Sequence, residues 1–183
     1  MPYTVTPTAI PDVLLLEPKV FGDDRGYFFE SYNARDFREA TGLQVEFVQD
    51  NHSMSEKGVL RGLHYQIQHP QGKLLRVMRG SVFDVAVDLR KSSPTFGHWV
   101  GELLSEGNRR QLWIPPGFAH GFLALSDKTE VLYKTTDYWY PEHERTLSWK
   151  DPDLRIDWPI EGEPRLAAKD VDGKLLGEVD VFK

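Results

Sequence analysis

An arginine and a histidine stand three residues apart in the stretch Leu60–Gln66 (LRGLHYQ). Apolar and aromatic neighbours surround His64, so we expect its ring to be partly desolvated and held by a strand. An imidazole titrates near neutral pH, and a rigid strand would fix its direction of attack; a base that removes a proton from carbon needs both properties. A single histidine on a strand is more often a core residue than a catalyst, so other residues must support this hypothesis.

The elements that would position such a histidine are predicted to be short strands. Aromatic residues make up 12% of the chain, and 12 prolines and 15 glycines interrupt it, which favours short strands over long helices. Strand-like stretches separated by turns recur from residue 45 to residue 140, which is typical of a β-sandwich or barrel. We therefore predict an all-β fold. The expected strands of this region are 45–48, 59–66, 73–78, 82–89, 96–104, 110–114, 120–125 and 131–136.

The N-terminal part of the chain differs from this pattern. In residues 1–32, prolines set off short apolar stretches, which favours edge strands or an exchanged arm, and residues 27–32 are predicted to form a strand. One short helix is predicted over residues 34–41, with Asn33 as its N-cap and Gly42 just past its end.

The C-terminal part is predicted to pack on the rest of the protein. Trp149 and Trp158 lie in a segment without regular periodicity, and a tail with this many aromatic residues is not expected to be disordered. We predict that residues 141–183 wrap back on a barrel formed by residues 45–140. The whole chain, 1–183, is then a single domain.

Composition excludes several classes of protein. The chain has no cysteine, so it can form neither a disulfide framework nor a zinc–thiolate site. Its formal net charge of -6 argues against sequence-independent binding to nucleic acid. No apolar stretch approaches the length of a signal peptide or of a membrane span, so a cytoplasmic protein is expected, with no membrane partner.

A second stretch, Ile114–Phe122 (IPPGFAHGF), has a Pro-Pro-Gly turn that leads to His120 on the next predicted strand. This stretch resembles the second signature of the cupin barrel, a jelly-roll fold. The first signature of metal-binding cupins has two histidines separated by one residue, followed by a glutamate. Here it reads His64-Tyr65-Gln66, so one imidazole ligand is replaced by an amide. Because transition metals need three or more protein ligands, we predict that the protein binds no metal.

Eight strings, taken together and in order, resemble the dTDP-4-dehydrorhamnose 3,5-epimerase family. Members of this family are metal-free cupins, need no cofactor, and invert C3 and C5 of dTDP-4-dehydro-6-deoxy-D-glucose in dTDP-L-rhamnose synthesis. The strings run from about residue 20 to residue 170: GDDRGYF (22–28), QDNHS (49–53), VLRGLHYQ (59–66), QGK (71–73), VFDVAVDLR (82–90), SPTFG (93–97), RQLWIPPGFAHGF (110–122) and LAAKD (166–170).

The resemblance implies four catalytic residues. Each inverted carbon loses a proton to give an enolate and regains one on the opposite face, which requires a base, an acid and a charge near the ketone oxygen. His64 would be the base and Asp170 would hold its other ring nitrogen. Lys73 would stabilise the enolate. Tyr133 would donate the proton from the far face, with Tyr138 as its rival.

The resemblance also implies a set of substrate-binding residues and a homodimer. Arg61 and Lys169 are the expected diphosphate contacts, and Arg25 and Glu30 lie in a segment that reaches a neighbouring subunit's site in the family. The predicted binding residues are Arg25, Glu30, Gln49, Asn51, Arg61, His120, Tyr138, Glu144 and Lys169.

Two questions stay open from the sequence. Arg61 and His64 face opposite sides of a regular strand, so both can line one pocket only if the chain bends or bulges near Gly62. Alternative activities are a 3- or 5-monoepimerase, a 3,4-ketoisomerase, a sugar-nucleotide binding module without catalysis, and a metal-dependent cupin oxygenase.

Overall fold

Two antiparallel β-sheets pack face to face in the computed structural model, which describes residues 3–160 and 162–183. One sheet has six strands in the order β1-β2-β10-β7-β12-β5, and the other has five in the order β13-β6-β11-β8-β9. The all-β prediction is confirmed. The strands are β1 (Tyr3–Pro7), β2 (Leu14–Pro18), β3 (Phe21–Asp23), β4 (Gly26–Phe28), β5 (Gln49–Ser55), β6 (Leu60–Gln66), β7 (Lys73–Arg79), β8 (Ser81–Asp88), β9 (Trp99–Ser105), β10 (Gln111–Ile114), β11 (Phe118–Ala124), β12 (Thr129–Thr135) and β13 (Glu144–Thr146).

The main core lies between the two sheets. Leu75 and Leu112 from the six-stranded sheet meet Val82, Ala86 and other inward residues of the five-stranded sheet, and all four are fully buried. These residues follow the alternation that the sequence shows, since successive strand residues point to opposite faces. This apolar core holds the two sheets in a fixed relation to each other.

The C-terminal segment covers the outer face of the five-stranded sheet. Leu147, Leu154 and Trp158 are buried there against outward residues of that sheet such as Val85 and Val87. The Tyr65 hydroxyl donates to the carbonyl of Asp180 at 2.6 Å, which fastens the end of the chain. The predicted wrap of the tail is confirmed. It contains a four-residue helix, α2 (Ala168–Val171), which carries Asp170.

Helix α1 (Ala34–Thr41) begins and ends where the sequence predicts. The Asn33 side chain accepts hydrogen bonds from the amides of Arg35 and Asp36, and Gly42 ends the helix in a left-handed conformation. Phe37 packs from the helix onto Trp113 on the outer face of the six-stranded sheet. Among the described residues, no helix is both long and apolar enough to cross a membrane.

Two expected strands differ in the structure. Residues 45–48 form no strand. Strand β5 begins at Gln49 instead, and its residues are mostly polar. The apolar pattern of 45–48 has another cause: Val45 and Phe47 pack against the cluster that contains Phe37 of α1 and Trp113. The strand expected over 27–32 is also too long, since β4 ends at Phe28 and pairs only with β3 in an exposed hairpin.

A bulge in β6 resolves the geometry of Arg61 and His64. His64 on β6 pairs with His120 on the neighbouring strand β11, and Arg61 pairs with Phe122. His64 and Arg61 are three residues apart, whereas their partners His120 and Phe122 are two residues apart. One extra residue in β6 turns both side chains toward the same side. Gly62 makes the bulge possible, since its φ is 127° and its Cα lies against the main chain of Gly121.

Replacement of Gly62 by alanine should destabilise the protein strongly. A Cβ at this position would lie 2.5 Å from the Cα of Gly121 and 2.8 Å from the carbonyl oxygen of His120. We expect the free energy of unfolding in urea to fall by about 3 kcal/mol or more. Gly177→Ala is the matched control, because its Cβ meets nothing within 4 Å, and its effect should stay within about 1 kcal/mol. Equal effects of the two variants would contradict the role assigned to the bulge.

Candidate active site

A cavity of about 310 Å³ opens between the two sheets, and the C-terminal segment forms one of its walls. Strands β5, β7 and β12 contribute from the six-stranded sheet, and β6, β11 and β13 contribute from the five-stranded sheet. The cavity contains ten of the thirteen predicted site residues. Its lining residues are Gln49, Asn51, Ser53, Arg61, His64, Tyr65, Gln66, Gln71, Lys73, His120, Phe122, Tyr133, Trp139, Glu144, Ala167, Lys169 and Asp170.

His64 and Asp170 form a hydrogen-bonded pair in the cavity wall. The Nε2 atom of His64 lies 2.5 Å from Oδ1 of Asp170, although the two residues are 106 positions apart in sequence. Asp170 is 2% exposed, whereas the side chain of His64 is 21% exposed toward the cavity. A buried carboxylate on one ring nitrogen fixes the orientation of the ring and stabilises the imidazolium that forms when the other nitrogen takes a proton.

Lys73 is a buried cation beside this pair. Its Nζ donates to the carbonyl of His64 at 3.5 Å, and the residue is 8% exposed. Burial lowers the pKa of Lys73 to about 8, although the negative charges of Asp84 and Glu144 oppose this change. The ammonium group is therefore still mostly protonated at neutral pH, and its charge acts in a site that little water reaches.

Tyr133 enters the cavity from the six-stranded sheet, opposite the five-stranded sheet that carries His64. It lies on β12, between Asn51 on β5 and Leu75 on β7. Burial raises the pKa of Tyr133, and the negative charge of Glu144 adds to this effect. The phenol therefore keeps its proton through neutral and moderately alkaline pH and can act as a proton donor.

His120 has a buried carboxylate partner that sequence reasoning did not identify. Its Nε2 lies 3.0 Å from Oδ2 of Asp84, and Asp84 is fully buried on β8. Burial lowers the pKa of His120, while Asp84 acts in the opposite direction. Asp84 and Asp88 interrupt the apolar residues of 82–89, and a carboxylate at such a position was the signal available, because a buried charge needs a partner.

Polar groups also occupy the six-stranded side of the cavity. Gln49, Asn51 and Ser53 form one row along β5, and Gln49 Nε2 donates to Asn51 Oδ1 at 2.9 Å. The hydroxyl oxygen of Ser53 is buried and has no hydrogen-bond partner among the described residues. Across the cavity, Arg61 donates from Nε to Ser55 Oγ at 2.9 Å, which holds its guanidinium in place.

Lys169 brings a second cation to the cavity. Its Nζ forms an ion pair with Oε1 of Glu144 at 2.9 Å, and its side chain is 51% exposed. Glu144 is predicted to bind substrate, and here it pairs with Lys169 while its negative charge acts to raise the pKa of the buried Lys73. In residues 3–160 and 162–183, no group of three or more His, Cys, Asp or Glu side chains could hold a metal ion.

The comparison with known proteins identifies the family of this chain. The family model described as dTDP-4-dehydrorhamnose 3,5-epimerase matches residues 7–178. The chain belongs to this family. The dTDP-4-dehydrorhamnose 3,5-epimerase of Pseudomonas aeruginosa is 65% identical over 177 residues, which cover 97% of this chain and 98% of that protein. The predicted family and the predicted epimerase activity are confirmed.

Solved structures confirm the cupin-type jelly roll. An epimerase from Legionella pneumophila, solved in complex with dTDP-4-keto-L-rhamnose, matches with a TM-score of 0.95 and 52% identity over 97% of this chain and 95% of that chain. A 3'-monoepimerase from Streptomyces bikiniensis, in complex with dTDP-quinovose, matches with a TM-score of 0.88 and 33% identity over 93% and 87% of the two chains. The same architecture therefore occurs in double and single epimerases.

Three of the predicted site residues do not line this epimerase cavity. Arg25 lies in the exposed β3–β4 hairpin and pairs with Asp23 there. Glu30, just after the hairpin, is also exposed. Tyr138 is 55% exposed and does not line the cavity, while the next residue, Trp139, does. These side chains follow the ends of strands, where the period-2 alternation no longer predicts the direction of a residue.

Proposed function

We propose that this epimerase inverts both C3 and C5 of dTDP-4-dehydro-6-deoxy-D-glucose, with His64 as base and Tyr133 as acid, to supply dTDP-L-rhamnose synthesis. One observation carries the proposal: the two groups enter the same cavity from opposite sheets. A sugar ring held between the sheets would present one face to His64 and the other to Tyr133. Removal of a proton from one face and return of a proton to the other is what inversion requires.

Lys73 supplies the third element of this chemistry. Loss of the proton beside a ketone moves negative charge to the ketone oxygen, and a fixed cation lowers the energy of that enolate. Lys73 is buried within the same cavity, and its charge gains in effect because little water screens it. Asp170 would stabilise the His64 imidazolium during the lifetime of the enolate.

The remaining lining residues suit a nucleoside diphosphate. Arg61 and Lys169 place two cations in the cavity wall, and Arg61 can bind phosphate oxygens in a bidentate manner. Gln49 and Asn51 offer amide groups, and Trp139 offers a flat indole surface on which a nucleobase can stack.

The cytoplasmic location expected from the sequence is part of this proposal, and cell fractionation would test it.

Exchange in deuterated water tests the reaction. The protein is incubated with dTDP-4-dehydro-6-deoxyglucose in deuterated water, and proton NMR follows the signals at C3 and C5. We expect both protons to be replaced and both centres to invert. Exchange at one carbon would instead indicate a monoepimerase, an alternative favoured by the structural match to the Streptomyces enzyme. Absence of exchange, with dTDP still bound, would indicate a binding module.

A homodimer is the second part of the proposal. Phe21, Tyr27 and Phe28 in the β3–β4 hairpin are 54%, 62% and 65% exposed, and the same hairpin carries Arg25 outside its own cavity. We propose that the hairpin of each subunit covers apolar surface on its partner and brings Arg25 and Glu30 to the partner's site.

Subunit complementation tests this arrangement. Arg25→Ala and His64→Ala are each expected to be nearly inactive alone, yet a mixture refolded together contains dimers with one intact site. About a quarter of the wild-type activity should then return, because half of the dimers are mixed and each has one working site. No recovery, or a monomeric mass in light scattering, would contradict the proposed exchange of hairpins.

The pKa of Lys73 predicts a loss of activity at alkaline pH. Above about pH 8, the ammonium group loses its proton, so kcat/KM should fall about tenfold per pH unit. Tyr133 cannot account for this loss, because its raised pKa keeps it protonated to higher pH. In Lys73→Met the activity should be low throughout and should lack this alkaline limb. A wild-type profile that stays flat to pH 10 would show that the charge of Lys73 is not needed.

A further inference from the structure

Three glutamine side chains bind the main chain of four consecutive residues, 137–140, which follow β12 and join no strand. Each glutamine comes from a different part of the fold: Gln49 from β5, Gln66 from β6, and Gln71 from the turn before β7. The four hydrogen bonds run from Gln71 Nε2 to the Asp137 carbonyl (2.9 Å), from Gln66 Nε2 to the Tyr138 carbonyl (3.1 Å), from the Trp139 amide to Gln49 Oε1 (3.1 Å) and from the Tyr140 amide to Gln66 Oε1 (2.7 Å).

Gln66 is the central member of this glutamine clamp. It is 3% exposed, and in addition to its two bonds to the 137–140 segment its Nε2 donates to the carbonyl of His69 at 2.7 Å. Both atoms of the buried amide group are therefore satisfied by main-chain groups of two irregular segments. Metal-binding cupins have their second histidine at this position, whereas here an amide at the same place holds the loop.

The clamp determines where Trp139 lies. The path of a segment without ladder partners depends on side chains that satisfy its amides and carbonyls. Thr135 also donates to the Asp137 carbonyl and the His69 ring stacks on Tyr140, but the Trp139 amide and the Tyr138 carbonyl are bonded by the clamp. Trp139 is 56% exposed, yet its side chain lines the cavity that contains His64 and Tyr133. Its indole is thus accessible at the cavity wall and is held there through its own main chain and that of its two neighbours.

We propose that Gln66 is a positioning residue that sets the affinity for the nucleotide through Trp139 and does not take part in the proton transfers. This inference rests on the proposed function, since it assigns the nucleotide end of the substrate to Trp139. Loss of the amide leaves the Tyr140 amide and the Tyr138 carbonyl without their partner, and only the bonds from Gln49 and Gln71 remain, so the indole is held less firmly. Binding of the nucleotide then has to order the segment, and this cost lowers the affinity.

Gln66→Met tests the proposal, because methionine has a similar length and no hydrogen-bonding amide. We expect KM to rise about tenfold and kcat to change less than about threefold, since an interaction equal in ground and transition states affects KM alone. The Kd for dTDP, measured by calorimetry without turnover, should rise by a similar factor. Should Gln66→Met fail to fold, Gln71→Met removes one bond of the same clamp at a less buried position and should shift KM and Kd in the same direction.

A double-mutant cycle separates action through Trp139 from a general effect on structure. Trp139→Ala alone should also weaken dTDP binding. In the Trp139→Ala background, Gln66→Met should change the Kd by less than about twofold, because the indole that it positions is gone. Additive effects of the two changes, or a loss of kcat at unchanged KM in Gln66→Met, would overturn the proposal.

The dTDP measurements also separate this inference from the proposed function. If the wild type binds dTDP with the expected coupling of Gln66 and Trp139 but shows no deuterium exchange, the clamp stands and the proposed reaction is wrong. If deuterium exchanges at both carbons while Gln66→Met binds dTDP normally, the reaction stands and the positioning role is wrong.

Discussion

His64→Ala should abolish deuterium exchange at both C3 and C5 of the sugar. The imidazole is the basic group that the structure orients toward the cavity, with Asp170 fixing its other nitrogen at 2.5 Å. Positioned bases contribute about 10²–10⁴-fold to rates, and in this reaction both proton removals depend on the same ring. We therefore expect turnover to fall by up to about 10⁴-fold, as measured by proton NMR in deuterated water.

Binding measurements separate loss of the base from loss of the fold. The Kd of His64→Ala for dTDP should remain close to that of the wild type, because Arg61, Lys169 and Trp139 are unchanged. His52→Ala is a matched control, since His52 lies on the outer side of β5, where it pairs with Glu130. This control should retain wild-type turnover. Near-normal turnover by His64→Ala would falsify the assignment of the base.

Tyr133→Phe should separate proton exchange from inversion. The phenylalanine ring keeps the packing of Tyr133 on β12 but removes the hydroxyl that would return a proton from the far face. His64 can still remove the proton and return a deuteron to the same face. We therefore expect inversion to slow by about 10²–10⁴-fold while exchange with retention of configuration continues.

Stereochemical analysis of the recovered sugar distinguishes the two results. Proton NMR should show deuterium at the original configuration in Tyr133→Phe and at the inverted configuration in the wild type. Tyr32→Phe is a suitable control, because Tyr32 packs against Phe37 and Phe47 outside the cavity. If Tyr138→Phe lost inversion and Tyr133→Phe kept it, the rival tyrosine would be the donor and the 137–140 segment would have to turn its exposed side chain inward.

These expectations have a common structural origin in the two sheets. The base and the buried Asp84–His120 pair belong to the five-stranded sheet, while the acid and Lys73 belong to the six-stranded sheet. The apolar core between the sheets keeps the two groups of residues at a fixed separation. Such rigidity favours catalysis, because catalytic groups must be held within about 0.5 Å of the geometry that proton transfer requires.

The sequence by itself determined the local structure of this protein. The side chain of Asn33 and the left-handed Gly42 define α1, and the alternation of residues 82–89 defines β8, because caps and strand faces depend on residues close in sequence. The aromatic residues of the tail predicted that it packs on the rest of the chain. The resemblance to the family made His64, Lys73, Tyr133 and Asp170 candidates, although no local signal connects His64 with a carboxylate 106 residues away.

Only the tertiary structure decided how the site is assembled. The bulge at Gly62 turns Arg61 and His64 to one side, Asp84 finds its partner in His120 across the β8–β11 ladder, and Gln66 holds the segment that carries Trp139. Each of these features depends on contacts between strands or segments that are distant in sequence, and on how the sheets pair and pack. The sequence shows that a buried polar residue needs a hydrogen-bond partner. Which residue becomes that partner depends on how the two sheets pack.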